Sequence, residues 1–302
     1  MQPERAFWRG RLASSDGKVV DLRKVSIIIP CYNDGKYLPE AIASAKLQTY
    51  PNIEIVIVDD HSNDAETQSK LSALAGQPGI QVLSVPNGRK GLAAARNLGI
   101  QYACGEYILP LDADDTTEPS YSEKAVAVLD ANPDIGICYC RADLFGLKRG
   151  PWRLPPYSPE AMLLENMIFA TAFFRRSAWE DIGGYDESLT LGFEDHAFWL
   201  ALFEQGAKVH MLDEVLFHYR IKPNSMIAQM AQDNRAERAK LMVVQAHRPI
   251  YERNVDKIYL AWLRLRKEQN RLGLSMLYRV GKPLIEYELA LRQLIKRLLG
   301  RA

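Results

Sequence analysis

Short apolar runs alternate with helical periodicity along the first 120 residues, and this alternation constrains the fold more than any other feature. The runs at 25–30, 53–58, 80–85 and 107–111 are rich in Val, Ile and Leu, and helical patterns occupy the intervals between them. Such runs are typical of strands that are buried on both faces. Strands and helices in alternation predict βαβ units, and therefore an α/β fold with a mostly parallel sheet flanked by helices.

Polar residues follow three of the predicted strands, at 30–33, at Asp59-Asp60 and at 112–115. Ligands of open α/β sheets bind beyond the carboxyl ends of the strands, so we expect these segments to border one crevice. Asp112 and Asp114 point the same way in an extended chain, and two hard oxygen donors on one face suit Mg²⁺ or Mn²⁺. A solvated acidic turn is the alternative for this motif taken alone.

Charge and cysteine usage narrow the class of protein. The formal net charge is +1, which gives no reason to expect nucleic acid as a partner. The four cysteines form no C-x-x-C pair, which favours reduced thiols and a cytoplasmic location. Residues 1–24 lack the apolar centre of a signal peptide, and no apolar run reaches the ~18 residues of a spanning helix.

Basic residues accumulate near the C-terminus, where 13 Lys and Arg outnumber 5 Asp and Glu from Arg248 to Ala302. Within this segment, residues 282–301 combine apolar positions at helical spacing with five basic residues. Such an amphipathic helix can lie on anionic lipid, which predicts peripheral contact with the inner face of the cell membrane. Packing on the main domain or on a second subunit of a homodimer is the alternative.

Four motifs in order resemble the large family 2 of inverting glycosyltransferases: VSIIIPCYN from Val25, IVDDHSND from Ile57, GLAAARN from Gly91 and YILPLDADD from Tyr107. The resemblance extends from about Val25 to Ser225. It implies the GT-A fold, with a Rossmann-like nucleotide-binding sheet. It also implies an enzyme that takes a sugar from a nucleotide diphosphate sugar, most simply a UDP sugar, with Mn²⁺ or Mg²⁺ on the diphosphate.

The resemblance assigns donor-nucleotide contacts to seven residues: Pro30, Tyr32, Asn33, Asp60, Arg96, Asp112 and Arg220. A carboxylate that accepts from a base N–H makes a strong charge-assisted bond, which suits Asp60. Guanidinium binds phosphate bidentately, which suits Arg220. Structural alternatives stay open for Asn33 as a turn former and for Arg96 as a salt-bridge partner on a helix.

The resemblance also assigns metal ligands and a catalytic base. Asp114 and Asp112 would hold the metal, and His218 is a further candidate because imidazole suits Mn²⁺, although a packed histidine is the alternative. The segment GFEDHAFWL from Gly192 resembles the family's Glu-Asp motif at a helix start. It makes Asp195 the general base for the acceptor hydroxyl. The alternative for Asp195 is an acid that stabilises the helix N-terminus.

These observations predict an N-terminal extension (1–24), a GT-A domain (25–230) and a helical basic extension (231–302). Within the domain, 25–118 would bind the nucleotide sugar and 119–230 the acceptor. The sequence lacks the Gln-x-x-Arg-Trp motif of processive relatives, which favours single additions to a glycan or lipid-linked acceptor. One alternative is a nucleotide-sugar pyrophosphorylase, which needs a glycine-rich basic loop after the first strand, and residues 31–36 lack that richness in glycine. The other alternative is a non-catalytic nucleotide-sugar-binding module.

Overall fold

The computed structural model describes residues 10–13, 19–154, 157–223, 234–264 and 266–267. Its strands, in chain order, are β1 (Gly10–Ala13), β2 (Val19–Leu22), β3 (Val25–Cys31), β4 (Ile53–Asp59), β5 (Ile80–Ser84), β6 (Tyr107–Pro110), β7 (Thr116–Thr117), β8 (Ile135–Gly146), β9 (Gly150–Trp152), β10 (Phe173–Arg175) and β11 (Lys208–Ile221). Its helices are α1 (Leu38–Lys46), α2 (Ala65–Leu74), α3 (Leu92–Tyr102), α4 (Tyr121–Ala131), α5 (Pro159–Met162), α6 (Arg176–Ile182), α7 (Glu194–Glu204), α8 (Arg235–Ala246) and α9 (Arg248–Arg253).

One nine-stranded sheet forms the centre of the fold, in the order β5-β4-β3-β6-β10-β8-β11-β7, with β9 paired to β8. The four predicted strands β3, β4, β5 and β6 pair in parallel, as the βαβ pattern requires. The predicted α/β class is therefore confirmed. Beyond β6 the sheet is mixed, because β10 and β7 run antiparallel to their neighbours while β8 and β11 are parallel.

The first helix-strand layer is packed closely around β3, which is buried along all seven residues. Helix α3 lies against β3 and carries Ala93, Ala94 and Ala95 at its start, all buried. A Cβ on Gly99 would come within 2.5 Å of the Ile28 side chain, so the helix can approach the strand only with glycine there.

The apolar run from Met167 to Phe174 predicts a strand along the sequence, and β10 differs from that prediction. The strand of the structure is Phe173–Arg175, and residues 167–169 are buried outside any helix or strand. An apolar run records burial rather than conformation, which is why the pattern extended the strand too far. The irregular segment begins at Asn166, whose side chain donates a hydrogen bond to Asp195.

The sequence pattern at 215–220 predicts a last strand, and β11 contains it but is much longer. Strand β11 pairs with β8 along most of its length. Register shifts at Leu212, Val215 and Phe217 let its last residues pair with β7 as well. The end of β11 therefore lies beside the acidic segment between β6 and β7. The predicted N-terminal extension contains the separate β1–β2 hairpin.

The chain divides into two compact units, Met1–Tyr157 with Asn166–Ile250, and Ser158–Glu165 with Tyr251–Ala302. The first contains the sheet and every predicted site residue. Helices at Arg235–Ala246 and Arg248–Arg253 and a helical stretch at 255–264 agree with the helices predicted after residue 231. Among the described residues no helix is long and apolar enough to cross a bilayer, and the amphipathic segment 282–301 lies outside them.

Candidate active site

The carboxyl ends of β3, β4 and β6 meet at one edge of the sheet. Cys31 pairs with Asp59 across β3 and β4, and Ile28 pairs with Pro110 across β3 and β6. The segments that follow these strands therefore leave the sheet side by side, as the sequence predicts. They contain most of the predicted donor-site residues.

Asn33 joins the loops after β3 and β4. Its side chain accepts a hydrogen bond from the Asn63 backbone N–H (2.8 Å) and donates one to Asn63 Oδ1 (2.9 Å), and its own N–H donates to Ser62 Oγ. The backbone of Asn33 is left-handed (φ 55°), a conformation that asparagine tolerates well. Beside it, Pro30 is buried within β3 and the Tyr32 ring is exposed.

Asp60 ties the end of β4 to the start of α3. Both of its carboxylate oxygens accept from the Gly91 N–H, at 3.0 and 2.8 Å. Partial burial raises the pKa of Asp60, and the Gly91 hydrogen bond opposes that rise. Gly91 has φ 97°, which lets the chain turn into the helix and present its N–H to Asp60.

Arg96, Asp112 and Glu194 form a buried ion cluster, here the Arg96 cluster. The Arg96 side chain is fully buried, and its two terminal nitrogens donate to Glu194 Oε1 (2.7 Å) and Asp112 Oδ1 (2.8 Å). The two carboxylates raise the pKa of the guanidinium against the effect of burial. Arg96 thus links the loop after β6 (residues 111–115), here the β6 loop, to the first turn of α7. Glu194 lies 98 residues after Arg96 in the sequence.

Lys222, Asp34 and Asp114 form a second cluster, here the Lys222 cluster. Lys222 Nζ lies 2.5 Å from Asp34 Oδ1 and 2.9 Å from Asp114 Oδ2, and all three side chains are partly exposed. Burial raises the pKa of Asp114, and Lys222 opposes that rise while Asp112 adds to it. The sequence analysis did not identify Lys222, which bears no local signal of a site.

Arg220 makes hydrogen bonds to the β6 loop through both its backbone and its side chain. Its backbone N–H donates to Asp115 Oδ1 (2.8 Å), its Nε donates to the Asp114 carbonyl (2.7 Å), and a terminal nitrogen pairs with Glu40. The guanidinium also lies over the rings of Phe145 and Tyr37. These contacts show that Arg220 supports the β6 loop, here also called the acidic loop because it contains Asp112, Asp114 and Asp115.

Asp195 lies in the first turn of α7, next to Glu194 of the Arg96 cluster. The turn into the helix uses two residues with positive φ, Gly192 (108°) and Phe193 (62°). Asp195 Oδ2 accepts from Asn166 Nδ2 (2.9 Å) and Oδ1 accepts from the His196 N–H (2.8 Å). Burial raises the pKa of Asp195, and Asp112 adds to the rise, whereas Arg96 and the two hydrogen bonds lower it.

Tyr219 is a partly buried tyrosine whose pKa responds to the carboxylates of the site. Burial raises the pKa of its hydroxyl, and the carboxylates of Asp115, Asp112, Asp114 and Asp195 raise it further. The ring packs against Trp152 with centroids 4.6 Å apart. The sequence analysis missed Tyr219, because its neighbours come from three separate segments of the chain.

The acidic loop has the donor chemistry for a divalent cation but no complete metal site. Burial raises the pKa of Asp115 well above its usual range, and Asp114 and Asp112 raise it further, so a cation here would relieve repulsion. Among the described residues no three His, Cys, Asp or Glu side chains converge as metal ligands, and His218 Nε2 is 2.8 Å from Glu118.

Comparison with known proteins identifies the family of this chain. Residues 26–190 match the model of glycosyl transferase family 2. The EpsE protein of Bacillus subtilis is 30% identical over 79% of this chain and 87% of its own length. The chain therefore belongs to glycosyl transferase family 2, and the predicted family is confirmed.

Two further similarities concern coverage and fold. A Sinorhizobium fredii protein, y4gI, is 29% identical over 81% of this chain, but the match spans only 27% of that protein. The crystal structure of S. aureus TarS 1–349 in complex with UDP-GlcNAc superimposes with a TM-score of 0.56 at 22% identity, over 68% of this chain and 60% of that one. The likeness to TarS supports the GT-A fold.

Proposed function

We propose that this protein is an inverting glycosyltransferase that moves a sugar from a nucleotide diphosphate sugar to an acceptor hydroxyl. The Arg96 cluster carries the proposal. Through it, one fully buried guanidinium connects Asp112, at the predicted diphosphate side, with Glu194, the neighbour of the predicted base. A binding module has no need of a base held in register with the donor site, whereas a transferase does.

The donor site we propose consists of the edge formed by β3, β4 and β6. Pro30, Tyr32 and Asn33 would border the nucleoside, and Asp60 would accept from the base while Gly91 holds its carboxylate in place. A uridine nucleotide is the simplest donor, and the UDP-GlcNAc complex of the structurally similar TarS supports that choice. Arg96 would act through Asp112, and Arg220 would support the loop under the diphosphate.

Asp195 is the proposed general base. Its carboxylate would take the proton from the acceptor hydroxyl as that oxygen attacks the anomeric carbon, while the nucleotide leaves from the opposite face. Burial raises its pKa, and a base whose pKa lies closer to the working pH transfers protons more effectively. Asn166 would hold one carboxylate oxygen and leave the reacting one oriented.

Asp114 and Asp112 are the residues that would hold Mn²⁺ or Mg²⁺. The ion would offset the charge that develops on the leaving diphosphate. Acidic side chains outnumber basic ones around this loop, so an anionic diphosphate needs added positive charge in order to bind. A role for His218 stays a prediction, since its imidazole faces Glu118.

The proposed catalytic unit is 25–230, with donor and acceptor halves as predicted, and the acceptor is a glycan or a lipid-linked sugar that receives single residues. Membrane contact through 282–301, a cytoplasmic location and a homodimer stay predictions.

The first experiment is a calorimetric titration of UDP, GDP and dTDP into the protein, with and without Mn²⁺. We expect UDP to bind tightly only with Mn²⁺. Preference for GDP or dTDP would change the donor and keep the reaction, whereas no binding of any of them would contradict the proposed function. In the same series, Asp195→Asn should keep UDP affinity and lower the turnover of a bound UDP sugar by about 10²–10⁴-fold.

A further inference from the structure

We propose that Lys222 competes with a divalent cation for Asp114, and that cation binding releases the Lys222 ammonium to contact the donor diphosphate. This inference rests on the proposed function, because it concerns how the donor site is charged before and after the donor binds. It assigns to Lys222 a role in setting the affinity for metal and in coupling metal binding to nucleotide binding.

The evidence is the position of the ammonium. Lys222 Nζ is 2.9 Å from Asp114 Oδ2, so the ammonium lies next to the oxygen that would bind a metal ion. A divalent ion at the same oxygen would be separated from the ammonium by only a few ångströms. Because two cations that close repel strongly, Asp114 can hold one of them at a time in this arrangement.

Lys222 is able to leave, unlike Arg96. Its side chain is 20% exposed, its second partner Asp34 is 24% exposed, and each contact is made by a single nitrogen. Arg96 is fully buried, and it binds its two carboxylates through two different nitrogens. A lysine stem has four rotatable bonds, so a released ammonium can reach a ligand beside the loop without any change in the backbone.

Competition of this kind couples the two ligands. Without nucleotide, Lys222 neutralises Asp114 and weakens metal binding. A bound diphosphate offers the ammonium a new partner, so Asp114 becomes available to the metal. By linkage, UDP must then strengthen Mn²⁺ binding by the same factor by which Mn²⁺ strengthens UDP binding.

The test is a titration of Mn²⁺ into the whole protein, with free Mn²⁺ measured by electron paramagnetic resonance, in the absence and presence of saturating UDP. The variants are Lys222→Met, which removes the charge, and Lys222→Arg, which keeps it. Lys124→Met, which breaks an exposed pair with Glu214, is the matched control. Circular dichroism confirms that each variant is folded.

We expect Lys222→Met to bind Mn²⁺ about tenfold more tightly without UDP, the factor that corresponds to one charge-assisted contact. The strengthening of Mn²⁺ binding by UDP should fall by a similar factor, and Lys222→Arg and Lys124→Met should behave like the unmodified protein. Equal or weaker Mn²⁺ affinity in Lys222→Met would overturn the proposal. Tighter Mn²⁺ binding in Lys222→Met without UDP binding to any variant would support the competition and overturn the proposed donor function.

Discussion

The Arg96 cluster and the Lys222 cluster use two aspartates of the same loop, and they hold them in different ways. Asp112 is bound by a guanidinium that is fully buried, whereas Asp114 is bound by an ammonium that is 20% exposed. The first cluster spans α3, the β6 loop and α7. The second joins the β6 loop to the loop after β3 and to the end of β11.

This difference distinguishes an ion cluster that is a fixed part of the fold from one whose lysine can change partners. A fully buried guanidinium with two carboxylate partners cannot be removed without leaving charges unpaired in the interior, so the Arg96 cluster is a fixed part of the fold. In the Lys222 cluster the cation itself is partly exposed, so its contacts can be exchanged for a ligand more readily than those of the buried Arg96. The two aspartates, two positions apart, can thus have different functions.

The largest expected effect is the loss of stability on breaking the Arg96 cluster. Arg96→Met should lower the free energy of unfolding by about 3–5 kcal/mol, because Glu194 and Asp112 lose their buried counter-ion. Urea denaturation followed by fluorescence measures it. Arg96→Lys, which keeps the charge but not both hydrogen bonds, should lie between.

Lys222→Met provides the contrast on the same measurement. Lys222 and both of its partners are partly exposed, whereas Arg96 is fully buried, so we expect a smaller change, of about 1 kcal/mol. Equal losses for Arg96→Met and Lys222→Met would contradict the distinction between the two clusters.

The next effect concerns metal and nucleotide. Asp114→Asn should weaken Mn²⁺-dependent binding of UDP by about tenfold or more, because the number of charged ligands sets the affinity of such sites. Its free energy of unfolding should change little. Asp112→Asn should reduce both stability and binding, since its carboxylate also serves Arg96. Isothermal calorimetry beside urea denaturation distinguishes them, and unchanged UDP affinity in Asp114→Asn would exclude it as a ligand.

The smallest effect is a shift in a pH profile. Asp195 must be deprotonated to act as base, and its pKa is already raised, so activity should fall as the pH drops through that raised value. Asn166→Ala removes a hydrogen bond that lowers the pKa, which should move the acidic limb of kcat/KM upward by roughly 0.5–1 pH unit. Asn132→Ala, which removes a side-chain hydrogen bond to the Val128 carbonyl at the end of α4, is the control. An unmoved limb in Asn166→Ala would argue against Asp195 as the titrating base.

Much of the fold was predictable because its signal is local. The strands β3, β4, β5 and β6 are marked by apolar runs, and the helices between them by periodicity. The antiparallel β10 and the full length of β11 were not predictable, since both depend on which neighbour a strand finds. A short strand such as Phe173–Arg175 leaves no pattern of its own.

The candidate site divides in the same way. Asp112, Asp114 and Asp195 were identifiable because each stands in a motif next to a strand end or a helix start. Asn166 and Lys222 were not, although one contacts Asp195 and the other Asp114, across 29 residues and 108 residues of sequence. Asn33 was identified with two roles left open, and the structure gives it loop-to-loop hydrogen bonds.

The sequence by itself determined the family, the parallel strands β3 to β6 and the acids that follow them, because burial, periodicity and motif spacing are written within short segments. Only the tertiary structure decided which cation faces which carboxylate. Arg96 and Lys222 are both basic residues near other polar residues in sequence, and nothing local distinguishes a buried counter-ion from an exchangeable one. That distinction depends on solvent exposure and on partners from distant strands and loops, which exist only after the chain has folded.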